Sequence, residues 1–236
     1  MSTLAQTDPE LIGYVDRFAS GEVLTHGDLD ACTRLMTQLA AIIALGAVRE
    51  YRVVLGAALT VGVTPVEVKE VVYQAVPYVG LARVIDFVHA TNEELTDRGV
   101  PLPLPGQSTT TPEDRMAKGL AVQAAIIGQD RVDALYASAP ADQGHVQRFL
   151  SGNCFGDTYT RTGLDLGTRE LLTFAMLIAL GGADPQVRGH VAANLHVGNS
   201  RGALIDVVTQ LLPFIGYPRS LNALRAVDEV VPLEQA

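Results

Sequence analysis

Two stretches of the chain, Leu39 to Val48 and Leu171 to Leu180, are almost wholly apolar, and the residues around them recur at helical spacing with no alternating strand pattern. Each is about half of the roughly 20 residues that cross a bilayer, so both read as buried core helices. The pattern predicts the same order twice: an apolar helix ending at Ala-Leu-Gly, a helix carrying an arginine, a third after a Gly-x-x turn, and a last beyond an aromatic-Gly stretch. Thr64-Pro65-x-Glu67 is a start signal for the third helix of the first set, and Asn199-Ser200 serves in the second. Thr111-Pro112-Glu113-Asp114 offers a capping hydroxyl, a proline and first-turn acids, which predicts a further helix to about Ala137.

The order recurs because the sequence does. TRLMTQLAAIIALG from Thr33 matches TRELLTFAMLIALG from Thr168, an offset of 135 residues. After one inserted residue the offset is 136, and Arg52 meets Arg188, Ala57 meets Ala193, and Val61-Gly62 meets Val197-Gly198. VVYQAVPYVGLAR (71–83) lies on VVTQLLPFIGYPR (207–219), and Arg-Phe-x-Ser-Gly recurs at 17–21 and 148–152. This is an all-α chain of two homologous modules related by pseudo-symmetry. Between them RGVPLPLPGQSTTTPEDR (98–115) reads as an extended linker, which places the modules at 1–97 and 116–236.

Composition agrees. An apolar fraction of 48% with 18% charged residues excludes disorder, and the absence of Trp with only 6% aromatics favours helices over sheets. A net charge of −9 argues against nucleic acid or an anionic membrane as partner, so an anionic substrate needs a local basic pocket. Cys32 and Cys154, far apart and alone, exclude a disulfide scaffold and a thiolate zinc site. The first residues, MSTLAQTDPELIGY, lack a basic region followed by an apolar run, so the expected location is the cytoplasm.

The repeat acts as an internal control, because it fills one scaffold position twice. Glu170 stands where the first module has Leu35, His190 where it has Val54, and His196 where it has Thr60. The fold therefore does not demand a carboxylate or an imidazole at these places, and their burial is costly without partners. The competing reading is that Glu170 only supports the helix N-terminus and His190 is an ordinary histidine. Asn194, four residues after His190, shares its face and is a candidate to orient the ring or a substrate. His196 is six residues on, about 240° around the helix, and reads equally as an exposed turn residue. Arg188 is the nearest candidate for binding a carboxylate, although it points about 200° from His190 and its recurrence as Arg52 favours scaffolding. Phe174, Phe214 and Tyr217 are candidates for an apolar wall or for plain core packing.

GLDLGTRELLTFAMLIALGGADPQVRGHVAANLHVG, followed by VVTQLLPFIGYPRSLNALRAVDEV, resembles the carboxymuconolactone decarboxylase family, and FLSGNCFGDTY fits its lead-in. The resemblance implies an all-helical fold and assembly into rings, with a fused pair needing fewer chains; together with the long apolar helices it leads us to expect a homotrimer. Alkylhydroperoxidase D-like relatives carry a Glu, a Cys-x-x-Cys and a His on this pair of helices. Glu170 and His190 match the outer members, but Ala183 and Gln186 fall at the cysteine positions, which disfavours thiol peroxidase chemistry. The implied reaction is decarboxylation of an unsaturated lactone acid in aromatic-compound catabolism. The substrate is its own electron sink there, so no metal, pyridoxal phosphate or thiamine is expected. In that reading His190 donates the proton, Glu170 holds its ring, and Arg188, Asn194 and His196 are candidates to bind the substrate. A thiol-independent redox or isomerising enzyme and a non-catalytic binding protein are the alternatives.

Overall fold

Asp30 and Asp165 begin the two apolar helices in the same way. The Asp30 carboxylate accepts from the backbone N–H of Cys32 and Thr33 at 2.9 and 3.0 Å, and the Asp165 carboxylate from that of Thr168 at 2.8 Å. The computed structural model describes residues 3–233, among which there is no strand. In chain order the helices are α1 (Leu4–Thr7), α2 (Pro9–Asp16), α3 (Ala31–Leu45), α4 (Val48–Val61), α5 (Pro65–Val79), α6 (Leu81–Asp97), α7 (Arg115–Ile127), α8 (Gln129–Ser138), α9 (Gly144–Phe149), α10 (Leu166–Leu180), α11 (Asp184–His196) and α12 (Arg201–Val230). π-Helical turns at Arg17–Val23 and Leu150–Tyr159 carry the recurring Ser-Gly of the lead-in motif.

The repeat in sequence is a repeat in structure. α3 to α6 follow the order of α10 to α12, with α12 holding two helices bent at Gly216 (φ 74°, ψ 167°) where Gly80 (φ 87°, ψ 143°) divides α5 from α6. Both glycines take positive φ, a backbone that side-chain-bearing residues rarely adopt. Thr64 and Glu67 form a reciprocal capping box, and Ser200 accepts from the Ala203 N–H.

α3 packs on α10, and both pack on α5 and α12. Leu39, Ile42 and Ile43 of α3 lie in one cluster with Leu172, Phe174 and Met176 of α10, all wholly withdrawn from solvent. Burying each such side chain contributes about 1.5–3 kcal/mol, and the contribution belongs to both modules at once. Among the described residues no helix is long and apolar enough to cross a membrane.

The stretch expected as one helix to Ala137 is two. Gly128 (φ 87°, ψ 144°) takes a conformation no helix can include, so α7 ends before it and α8 leaves in a new direction. Its start is also later: Asp114 turns back to accept from the Thr111 N–H at 2.7 Å, and α7 begins at Arg115. Residues 98–114 form no helix but are tied to the second module by Thr162 N–H to the Gln107 carbonyl (3.0 Å) and the Thr109 hydroxyl to the Thr160 carbonyl (2.8 Å). α7 crosses the π-helical Leu150–Tyr159 at glycines: a Cβ on Gly119 would strike the Ser151 carbonyl oxygen, and one on Gly156 that of Arg115. This close crossing sets the position of Tyr159.

Candidate active site

Glu170 lies near the start of α10 and His190 midway along α11. The chain reverses between them through Gly181 and Gly182, both at positive φ. His190 Nδ1 is 2.7 Å from Glu170 Oε2; the carboxylate is wholly buried while the imidazole side chain keeps 18% of its surface exposed. With Nδ1–H held by the carboxylate, Nε2 is the ring nitrogen left free for chemistry.

The surrounding hydrogen bonds have a direction. Tyr159 donates its hydroxyl proton to Glu170 Oε1 at 2.8 Å. That proton is then used, so the hydroxyls of Tyr78 and Thr173, each 2.8 Å from the Tyr159 oxygen, donate to it. Thr173 accepts from Gln74 Nε2 at 2.9 Å, and Tyr78 accepts from the Cys154 thiol at 3.7 Å. Every proton in the chain thus points toward the Glu170 carboxylate. Burial, reinforced by neighbouring negative charge, pushes Tyr78 and Tyr159 well above the usual phenol range, which keeps both as donors. Burial likewise pushes the Cys154 thiol up to about 12.

Two of these partners, Gln74 and Tyr78, come from the first module. Glu70, Gln74 and Tyr78 are spaced by four along α5 and so share a face. Gln74 Nε2 also donates to the Arg169 carbonyl at 2.7 Å, and the fully buried Arg169 donates back to Gln74 Oε1 (2.8 Å) and to Glu70 Oε2 (2.9 Å). Arg161 completes the cluster, 2.8 Å from Glu70. Glu70 is therefore held by two arginines of the second module, and the residue next to one of them is Glu170.

A cleft of about 620 Å³ opens over His190 and Tyr78, whose rings meet edge to face at 5.7 Å between centroids. Its walls are mainly apolar, with Ile127 and Leu135 from α7 and α8, Phe155 from the π-helical turn, and Leu177 and Leu180 from α10. Ala183 and Gln186, the positions of the absent cysteines, also line it. Among the described residues no three His, Cys, Asp or Glu side chains converge as a metal site.

The sequence model of the carboxymuconolactone decarboxylase family matches twice, over residues 9–93 and 144–229. The chain belongs to the carboxymuconolactone decarboxylase family. A similar protein is the 4-carboxymuconolactone decarboxylase of Acinetobacter baylyi, 30% identical over 118 residues, which are 50% of this chain and 87% of that protein. Another is an uncharacterized 15.0 kDa protein of Paracoccus denitrificans, 35% identical over 77 residues, 32% of this chain and 58% of that protein.

In this carboxymuconolactone decarboxylase-family chain, the residues singled out from sequence separate into two groups. Glu170, His190 and Asn194 come together. Asn194 is fully buried and donates to the carbonyls of Glu170 (3.1 Å) and His190 (2.7 Å), while its Oδ1 accepts from Asn199 at 2.8 Å. It is a clamp between α10 and α11, with no donor left for a substrate. Arg188 does not line the cleft; it lies on the far side of α11, with Nη1 3.5 Å from Glu229 Oε2. His196 is exposed at the end of α11, also outside the cleft lining. Phe174 is sealed in the core, Phe214 packs against it, and Tyr217 is 61% exposed, so none forms the wall. Cys154, distant from the site in sequence, sits beneath Tyr78.

Sequence reasoning did not single out Tyr78, Tyr159, Gln74 or Arg131. One signal was available for Tyr78: its counterpart in the second module is Phe214, so the scaffold needs an aromatic ring there but not a hydroxyl.

Proposed function

We propose that the chain is a cofactor-independent carboxy-lyase acting on a carboxymuconolactone-like unsaturated lactone acid. The observation that carries this reading is the His190–Glu170 pair, anchored in a buried hydrogen-bond network and presented to a cleft with mainly apolar walls. In the proposed reaction the bond from carbon to the departing carboxylate breaks and carbon dioxide leaves. The electron pair moves through the conjugated double bond to the lactone carbonyl, giving an enolate, and His190 Nε2–H delivers a proton to the far carbon. Solvent then returns the proton to His190. Glu170 keeps the ring oriented through the Nδ1 contact, while the apolar walls keep water away from the developing carbanion. That the similar Acinetobacter protein is a 4-carboxymuconolactone decarboxylase supports the same chemistry.

The test is turnover of carboxymuconolactone by folded variants. His190→Ala and Glu170→Gln should each lose roughly 10²-fold or more, the range of a positioned general acid. Activity surviving both substitutions would remove His190 and Glu170 from the mechanism. No activity in the unaltered protein would point to another substrate or to a binding role.

A further inference from the structure

The cleft has one permanent cation. Arg131, near the start of α8, lines it together with His190, and no acidic side chain does so. Among the described residues Arg131 makes no ion pair, and the neighbouring Asp133 is engaged by Gln129 Nε2 at 2.7 Å. One guanidinium nitrogen, Nη2, stands 3.6 Å from where a Gly189 Cβ would lie, directly beside His190 along α11. In a chain of net charge −9, an exposed guanidinium with no ion-pair partner at a mainly apolar cleft is the charge there that a carboxylate would meet. α7 and α8 fall between the two spans that match the family, so this charge belongs to an element the family pattern does not include.

We propose that Arg131 is the carboxylate anchor of the cleft, and that it holds the carboxylate that the reaction retains. The first half stands on the geometry alone; the second rests on the decarboxylase reading above. A guanidinium binds a carboxylate through two parallel hydrogen bonds. If that carboxylate were the one to depart, the contact would stabilise the ground state and weaken as charge moved to the enolate, which opposes the reaction. The departing group therefore belongs against the apolar side, near Leu177 and Leu180, and the anchored group at the α8 side. α8 is then the specificity element of the site.

Phenylacetate and phenylacetamide serve as probes, because they share shape and differ in charge. Calorimetric titration of the whole chain should show phenylacetate binding at least about 10-fold tighter than the amide, as expected of a charge-assisted pair. Arg131→Gln should erase that difference, Arg131→Lys should keep part of it, and Arg188→Gln should leave it intact, all without a change in melting temperature. Equal binding of the two probes, no phenylacetate binding, or selectivity that survives in Arg131→Gln would each overturn the anchor. The readout does not involve turnover, so it separates the two readings. Arg131-dependent selectivity in a protein inactive on carboxymuconolactone keeps the anchor and removes the decarboxylase; turnover with charge-blind binding does the reverse. If the protein is active, Arg131→Gln should raise KM far more than it lowers kcat, the signature of binding a group that does not change in the transition state.

Discussion

At the scale of the residue, the comparison of modules separates what the fold needs from what the site needs. Glu170, His190, Asn194 and Asn199 are replaced in the first module by Leu35, Val54, Ala58 and Val63, all compatible with a packed core. Tyr78 and Phe214 invert the relation: the hydroxyl is on the first module because the site it serves is in the second. Tyr78→Phe should therefore fold as stably as the parent to within about 1 kcal/mol, since it removes one hydrogen-bonded hydroxyl and keeps the ring. It deprives Tyr159 of a donor 2.8 Å away and leaves the Cys154 thiol without its acceptor. Turnover should fall about 10-fold while KM stays near the parent value, because the loss acts through the orientation of Glu170 and His190. An unchanged kcat would show that the hydroxyl belongs to packing alone. Gln74 and Glu70 were hidden from the same comparison, because Gln210 and Asp206 occupy their counterparts and so look like shared scaffold.

At the scale of the element, caps and glycines were the most legible features. Thr64 and Ser200, read from the sequence, each start a helix through a side-chain acceptor, a local signal that needs no tertiary context; Asp30 and Asp165 do the same without having been singled out, and Thr111 does not cap α7. The break at Gly128 was not legible, since glycine within a helical pattern is often tolerated and only packing of α7 on the π-helical turn decides the outcome. Arg131 was missed for a related reason: it lies outside the repeat, where no second copy exists for comparison. Asp30 offers a test of capping with a definite pH dependence. The Thr33 hydroxyl, then the Thr33 N–H, hold its carboxyl below the usual aspartate range. A carboxyl with a depressed folded-state pKa contributes stability above its unfolded value and loses it as pH falls through the folded value. Asp30→Ala should thus cost about 1 kcal/mol near neutral pH. In chemical denaturation the gap between variant and parent should close in acid; a gap constant with pH would mean that the charge plays no part in the cap.

At the scale of the whole molecule, the two modules share one core, joined by the α3–α10 packing and by Glu70 between Arg161 and Arg169. Outside that joint the chain leaves a repeated apolar surface. Leu81 and Ile85 at the start of α6 are 60% and 41% exposed, and their counterparts Tyr217 and Leu221 in α12 are 61% and 56% exposed. Each module therefore shows solvent the same two apolar positions, one helical turn apart. An isolated exposed apolar residue calls for no explanation, but a pair kept at matched places in both modules is what a self-contact would use, and we propose that it does. Two equivalent surfaces on one chain allow it to touch two neighbours, and repetition of that contact by rotation closes a ring. We propose that the ring contains three chains. Sedimentation equilibrium of the intact protein should give a trimer, and Leu81→Lys combined with Leu221→Lys should shift it to monomer while the helical content is retained, because a charge at the centre of an apolar contact loses its hydration without a partner. A parent protein that stays monomeric at all concentrations would sink the assembly. A trimer indifferent to the double substitution would instead move the contact elsewhere, with the exposed Val146 and Phe149 of α9 as the next surface to alter.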